Sequence, residues 1–144
     1  MALLTAGGGP GEESPPRVDL RPQFAAMGLR PKSQGKRGCC SLFAIVGLLE
    51  FEHGRRAEGE ALRFSEEFLN WASHRSNGRA ADGSFFADAL RGVAMFGICR
   101  EALMPYAAVY APGAEPSPEA QADAFGRRQL RPCWIKRWDV RSGM

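Results

Sequence analysis

One segment of this chain is apolar on almost every side of a helix. Between Cys40 and Gly54 the large apolar residues are Leu42, Phe43, Ile45, Val46, Leu48, Leu49 and Phe51. A helix that is hydrophobic all round has no face to present to solvent, so other elements must surround it. The sequence therefore predicts a central, buried helix that begins at Cys40 and that Gly54 ends.

Two amphipathic helices are predicted to pack around this central helix. One has Ser65 as its N-cap, the acidic pair Glu66-Glu67 in its first turn, and its end before Asn77-Gly78. The other is predicted to run from Ser84 to Gly97. Its expected inward face consists of Phe85, Phe86, Ala89, Leu90, Val93 and Ala94.

The remaining segments have weaker patterns. Val18 to Lys36 has no sustained period of 3.6 or 2 and is predicted to be extended and loop-like. Ser117-Pro118-Glu119 predicts a short helix that reaches about Arg128. Leu130 to Val140 has the aromatic and branched residues of a strand, and Pro132 would confine its start to a sheet edge.

The composition is that of a folded globular protein, with 44% hydrophobic and 24% charged residues among 144. No apolar run approaches the roughly 18 residues that span a bilayer, so a membrane partner is not expected. Residues 1–16 are rich in Gly, Pro and Glu and are predicted to be a flexible leader, not a secretory signal. Four cysteines without such a signal favour a reducing, cytoplasmic compartment with free thiols. Neither a metal site nor a cofactor is predicted.

A glycine-containing loop, Gln34 to Cys40, brings a cysteine to the N-terminus of the central helix. Unpaired N–H groups and the helix dipole stabilise a thiolate there, and Lys36 and Arg37 add positive charge. A thiolate is a nucleophile for acyl transfer, and the six-residue spacing permits the Gln34 amide to stabilise an oxyanion. On the loop alone, a buried structural Cys40 and an ordinary polar Gln34 stay open as alternatives.

The chain from Val18 to Tyr106 resembles the papain-like cysteine peptidases. Its beginning looks like the start of the mature enzyme, and Gln34 and Cys40 match the oxyanion glutamine and the nucleophile. Further segments are similar to the second helix, the substrate-binding segment and the third helix of the family. The matching segments are Val18-Asp19-Leu20-Arg21, Gln34-Gly35 with Gly38 and Cys40, Ser65 to Leu69, Asp82-Gly83, and Ala89 to Tyr106.

This resemblance implies an α+β fold, of which residues 17–126 would be the helical lobe and residues 127–144 the start of a strand-rich second lobe. It implies hydrolysis of a peptide or protein substrate, with Cys40 as nucleophile, Gln34 in the oxyanion hole, and Asp82 and Gly83 at the substrate. The family's catalytic histidine and asparagine lie roughly 130–150 residues after the cysteine. They are therefore expected beyond Met144, and the chain by itself is expected to be inactive.

Several residues depart from the family pattern. Arg37 stands in place of a disulfide cysteine, Ser41 in place of an aromatic residue, and Gly83 alone remains of a glycine pair. Neither histidine is predicted to replace the missing base. His53 lies thirteen residues after Cys40 on the same predicted helix, about 20 Å away, and nothing in the sequence directs His74 to Cys40.

Other residues are assigned packing roles by default. Cys39, Cys99 and Cys133 are predicted to be structural, because cysteine is among the residues most often buried and an adjacent Cys39-Cys40 pair is a poor zinc clamp. Core positions are the predicted role of three aromatic residues: Trp71, Phe85 and Phe86.

Two other functions remain open. One is an inactive peptidase homologue that uses its cleft-facing side to bind a peptide, a protein partner or the missing second lobe. The other is nucleic-acid binding by the basic segment from Arg127 to Arg141, in which Trp134 and Trp138 could stack on bases. A strand with a solvated cationic face explains the same residues, so nucleic acid is the less favoured partner.

Overall fold

The computed structural model describes residues 17–57, 61–79 and 81–128. In these ranges the chain forms five α-helices and a 3-10 turn at Glu101–Leu103. Extended pairing in the same residues consists of an antiparallel bridge between Phe64 and Arg100. The helices are α1 (Arg21–Ala26), α2 (Cys40–Ala57), α3 (Glu66–Asn77), α4 (Phe86–Phe96) and α5 (Pro118–Phe125).

The helical half of the predicted α+β fold is confirmed. The leader at 1–16, the strand at 130–140 and nearly all of the second-lobe segment at 127–144 lie outside the described residues. The domain bounds and the strand-rich second lobe therefore stay predictions.

Helix α2 is central, as its all-round apolar pattern predicted. It packs against α3 and α4, and the buried side chains between these helices are Leu42, Ile45, Val46, Leu69, Ala89 and Val93. Helices α3 and α4 approach so closely at Gly92 that a Cβ there would lie 2.8 Å from the carbonyl carbon of Ala72. Glycine at position 92 is what permits this contact.

Two smaller clusters extend the core. Helix α5 places Ala120 and Ala124 against Phe68 of α3, and Cys99 is buried with them. At the other end of the molecule, Phe24 of α1 stacks on Phe51 of α2 with ring centroids 4.5 Å apart. The prediction that α2 is buried on every side was nevertheless wrong at Leu48, which is 59% exposed.

The predicted helix termini are largely confirmed, because capping is local chemistry. The Ser65 hydroxyl accepts a hydrogen bond from Phe68 N at 2.9 Å, and the Ser117 hydroxyl accepts one from Ala120 N at 3.1 Å. Gly78 ends α3 in the left-handed conformation, with φ of 70°. Helix α5 ends at Phe125, three residues before the predicted position.

Two expectations about the first two helices were wrong. A short helix, α1, lies within the segment predicted to be extended, because Pro22 suits a first helical turn and Phe24 gains the stack on Phe51. Helix α2 continues past Gly54 to Ala57. Gly54 serves close packing there, since a Cβ would lie 2.9 Å from both Ala61 and Met27.

The predicted inward face of α4 was partly wrong. Phe85 and Phe86 are 73% and 52% exposed, and Ala94 is exposed too. The helix begins at Phe86, after Ser84, which is bonded to side chains of α2 and α3. These bonds turn Ser84 inward and leave the two phenylalanines outside.

Among the helices of the described residues, none has the length and apolar content to cross a membrane.

Candidate active site

Cys40 is the first residue of α2, and its side chain is exposed. Both neighbours in the sequence, Cys39 and Ser41, are buried. The backbone therefore presents one thiol to solvent at the end of a helix where unpaired N–H groups and the dipole favour negative charge.

Gln34 lies on the loop that leads to Cys40. Its side-chain amide donates a hydrogen bond to the backbone carbonyl of Arg37 at 2.7 Å. The backbone carbonyl of Gln34 accepts a hydrogen bond from the Tyr106 hydroxyl at 2.9 Å. The loop is thus folded back on itself and anchored to the segment after α4. Gln34 is half-buried in this position.

Arg37, Glu67 and Asp82 form a buried group that we call the Arg37 cluster. The guanidinium bonds Glu67 at 2.5 and 3.1 Å and Asp82 at 2.8 and 3.1 Å, and it donates to the Ala107 carbonyl at 2.7 Å. All five N–H donors of an arginine are used by these acceptors. The guanidinium also lies 4.5 Å from the centroid of the Tyr106 ring.

The Arg37 cluster joins three segments: the loop before Cys40, the first turn of α3, and the turn at Asp82. The Arg37 side chain itself makes the bonds that link these segments. Its pairing with Arg37 holds the pKa of Asp82 below its ordinary value. Asp82 is therefore fixed as an anion in the loop anchor.

Gly83 packs directly on the loop that leads to Cys40. Its φ is +78°, and a Cβ on it would lie 2.1 Å from the Gly38 carbonyl oxygen, so only glycine fits. Its N–H donates to the Asn70 side chain at 3.2 Å, and its carbonyl lies 3.0 Å from Nε2 of His74. The structure thus brings Gly83 to the backbone two residues before Cys40, with both of its own polar groups occupied.

Ser41 has a structural role that the sequence did not reveal. It is buried, and its hydroxyl donates to the Ser84 carbonyl, while the Ser84 hydroxyl bonds Ser73 of α3. A serine at this position ties the start of α2 to the turn after Gly83. The sequence carries no signal for this contact, because the bonded residues are separated by eleven and 43 positions.

The other described cysteines differ from Cys40. Cys39 is completely buried, and burial raises the pKa of its thiol, with the nearby Asp82 carboxylate adding to the effect. Cys99 is also completely buried, and burial raises the pKa of its thiol to about 11. Both thiols stay protonated and enclosed, as predicted for packing residues. Cys133 lies outside the described residues.

Neither histidine is bonded to Cys40. Helix α2 is continuous from Cys40 to His53, which keeps them about 20 Å apart. His74 is held by the Gly83 carbonyl and by an edge contact with the Tyr110 ring. Within the described ranges, no group of three or more His, Cys, Asp or Glu residues could hold a metal ion.

Among the described cysteines, Cys40 is the one whose thiol is exposed, and it lies at the start of a helix. No protein-family model matches the sequence, and no curated protein matches it significantly. Among solved structures, the chain matches the crystal structure of xylellain, a cysteine protease from Xylella fastidiosa, with a TM-score of 0.59 and 20% sequence identity. The match covers 80% of this chain and 54% of the xylellain chain, so the chain spans about half the length of that protein. The likeness shows a fold similar to that of a cysteine protease, and the predicted helical lobe fits it.

Proposed function

We propose that this chain is the nucleophile-bearing helical lobe of a cysteine-type peptidase. The observation that carries the proposal is the exposed Cys40 thiol at the head of the buried helix α2, in a fold similar to that of a cysteine protease. The thiolate would attack the carbonyl carbon of a peptide bond and form a thioester as the amine leaves. Gln34 and the Cys40 N–H would stabilise the oxyanion.

The Arg37 cluster supports this role by positioning, without touching the substrate. It holds the turn at Asp82 and Gly83 against Gly38. The backbone carbonyl of the same arginine accepts a hydrogen bond from the Gln34 side chain. We assign Asp82 to this anchoring and Gly83 to the floor of the substrate site. A fixed loop holds the thiol and the oxyanion donors at constant relative positions. Such preorganised positions supply much of the rate enhancement of a catalytic site.

The base that takes the proton from the thiol must give it, as a general acid, to the leaving amine. His53 lies about 20 Å along α2 from Cys40, and Nε2 of His74 is engaged by the Gly83 carbonyl. We propose that the base belongs to a second lobe that covers the cleft side of this one. The partners of this chain are then that lobe and a peptide or protein substrate.

Adjacent cysteines offer a matched test. In the native protein with a reducing agent present, Cys40→Ser is expected to abolish hydrolysis of fluorescein-labelled casein, because an alcohol at this position has no stabilised anion. Cys39→Ser is the control, since a serine hydroxyl keeps the bond to Asp82, which Cys39 Sγ makes at 3.3 Å. Hydrolysis of casein by Cys40→Ser at the same measurable rate as by Cys39→Ser would show that Cys40 is not the nucleophile.

Peptide binding without hydrolysis is a second candidate, favoured by the exposure of Phe85 and Phe86 beside Gly83. An exposed aromatic pair suits an apolar peptide. Fluorescence anisotropy with a fluorescein-labelled, leucine-rich pentapeptide tests this function. Binding that Phe85→Ser and Phe86→Ser weaken at least tenfold, in a protein that cleaves nothing, would favour it over the peptidase.

A further inference from the structure

Both ends of the loop that carries Gln34 are held by ion pairs. Lys32 precedes the loop and bonds two glutamates, each at 2.8 Å, and Arg37 follows it in the Arg37 cluster. Among the described residues, one hydrogen bond joins residues 33–36 to a distant segment. The Tyr106 hydroxyl donates it to the backbone carbonyl of Gln34 at 2.9 Å. The position of Gln34 therefore depends on Tyr106.

The Tyr106 ring is fixed against the helix that carries Cys40. It meets the ring of Phe43 edge-on, with centroids 4.9 Å apart, and Phe43 lies three residues after Cys40 on α2. The Arg37 guanidinium lies over the Tyr106 ring, 4.5 Å from its centroid. Because two neighbours hold the ring, its hydroxyl has a defined position relative to the start of α2.

The backbone of Tyr106 is fixed through the next residue. The Ala107 carbonyl accepts a hydrogen bond from Arg37 at 2.7 Å, and Ala107 N donates one to Glu67 at 3.1 Å. The Arg37 cluster therefore holds the chain at Tyr106 as well as the loop before Cys40. Burial raises the pKa of the Tyr106 hydroxyl, so this group stays protonated and can donate.

The side-chain amide of Gln34 has two N–H groups. One of them donates to the backbone carbonyl of Arg37 at 2.7 Å, which sets the direction of the amide. The other N–H is the one that an oxyanion could use. It reaches an oxyanion on Cys40 only if the Gln34 backbone keeps a constant distance from α2, and the bond from Tyr106 maintains that distance.

We infer that Tyr106 is a positioning residue of the oxyanion hole. Its ring packs on α2 and its hydroxyl holds the Gln34 backbone, so the Gln34 amide and the Cys40 N–H converge on one point. Tyr106 acts through Gln34 and does not contact the substrate. This inference rests on the proposed function of Cys40 and Gln34. It adds a residue that lies 72 positions from Gln34 in the sequence.

Two reactions of Cys40 in the full chain test this inference. With N-carbobenzoxyglycine p-nitrophenyl ester, a sulfur–carbon bond forms, the ester carbon–oxygen bond breaks, and p-nitrophenolate leaves with the electron pair. Iodoacetamide alkylates the same thiolate and forms no oxyanion. Tyr106→Phe keeps the ring and loses one neutral hydrogen bond, so the variant folds. We expect its acylation to slow about fivefold and its alkylation to keep the wild-type rate.

Tyr110→Phe is the matched control. The Tyr110 ring also lies beside the Arg37 guanidinium, at 5.6 Å, but it contacts His74 and not the loop that carries Gln34. This variant is expected to leave the rates of acylation and alkylation unchanged. An equal slowing of acylation in Tyr110→Phe and Tyr106→Phe would overturn the inference.

A double variant separates positioning from a general loss of structure. Gln34→Ala keeps the backbone carbonyl that Tyr106 bonds and removes the amide, so adding Tyr106→Phe is expected to slow acylation no further. A further slowing of about fivefold would overturn the inference, because the hydroxyl would then not act through Gln34.

The remaining outcomes distinguish this inference from the proposed function. If Gln34→Ala slows acylation of Cys40 and Tyr106→Phe does not, or if Tyr106→Phe slows acylation and alkylation equally, the inference alone is overturned. If Cys40 of the unaltered protein is not acylated, the proposed function fails and the inference fails with it.

Discussion

Two ion clusters differ in one respect: the Arg37 cluster is complete, whereas the cluster of Lys32, Glu50 and Glu66, which we call the Lys32 cluster, is not. Arg37 has five donors, and Glu67, Asp82 and the Ala107 carbonyl use them all. Lys32 also uses its three N–H donors, but Oε2 of Glu66 accepts no hydrogen bond from a described residue. The complete cluster anchors the loop that leads to Cys40. The incomplete cluster lies beside a groove between α1 and α2.

Removal of the arginine should have the largest effect on stability. Arg37→Met leaves Glu67 and Asp82 as unpaired carboxylates, and breaking a buried pair in this way costs about 3–5 kcal/mol of unfolding free energy. Urea denaturation measures this loss of unfolding free energy. Arg91→Met is the control, because the pair of Arg91 with Asp88 on α4 is exposed and worth less than about 1 kcal/mol. A loss as small as that of the control would show that the Arg37 cluster does not anchor the loop.

Glu66 and Glu67 give the sharpest contrast, since both are buried neighbours in the first turn of α3. Glu67→Gln breaks charged bonds to Arg37 and is expected to cost about 2 kcal/mol. Glu66→Gln keeps an acceptor for Lys32 and removes a poorly solvated charge. It is expected to leave stability unchanged or to raise it by up to about 1 kcal/mol. Equal losses in the two variants would contradict the difference between the clusters.

The two clusters should respond to pH in opposite directions. The pKa of Asp82 is lowered by Arg37, so its contribution to stability is present above the ordinary pKa of an aspartate and is lost as pH falls through the lowered value. The pKa of Glu66 is raised by burial, so its contribution is present at low pH and is lost as pH rises through the raised value.

Thermal unfolding between pH 3 and pH 8 measures both effects. Asp82→Asn is expected to lower the melting temperature more at pH 7 than at pH 3. Glu66→Gln is expected to raise it more at pH 8 than at pH 4. A pH-independent effect of either variant would mean that the carboxylate in question does not change its interactions on folding.

The smallest loss of stability is expected at Ser41, which bonds the turn after Gly83 through one neutral hydrogen bond. Ser41→Ala leaves the Ser84 carbonyl without this donor and is expected to cost about 1 kcal/mol in urea denaturation. Ser33→Ala on the same loop is the control, because Ser33 is exposed. A cost equal to that of Arg37→Met would mean that the hydroxyl, not the ion cluster, is the main anchor.

Local chemistry in the sequence was enough to predict the central helix and most helix termini. The Ser65 and Ser117 caps each join a serine hydroxyl to the backbone N–H three residues later, and the Gly78 terminus depends on one backbone angle. The exposure of Phe85 and Phe86 could not be predicted in this way, because it follows from the bonds of Ser84 to α2 and α3.

The candidate site divides along the same line. Cys40 and Gln34 could be proposed from one short loop; the Gln34 side chain bonds the Arg37 carbonyl, and its role at Cys40 stays a prediction. The Arg37 cluster could not, since its partners lie 30 and 45 residues away in the sequence. Distant charges reveal their pairing only when the fold has brought them together.

Acylation of Cys40 by an activated ester tests the nucleophile assignment most directly. The thiolate attacks the ester carbonyl of N-carbobenzoxyglycine p-nitrophenyl ester, p-nitrophenolate leaves, and a thioester remains, so neither a base nor an acid is needed. We expect one equivalent of p-nitrophenolate and one acyl group mapped to Cys40, formed at least tenfold more slowly in Gln34→Ala. Alkylation of Cys40 by iodoacetamide, which forms no oxyanion, should be unaffected by Gln34→Ala. Acyl groups on other residues, or an unchanged acylation rate in Gln34→Ala, would contradict the assignment.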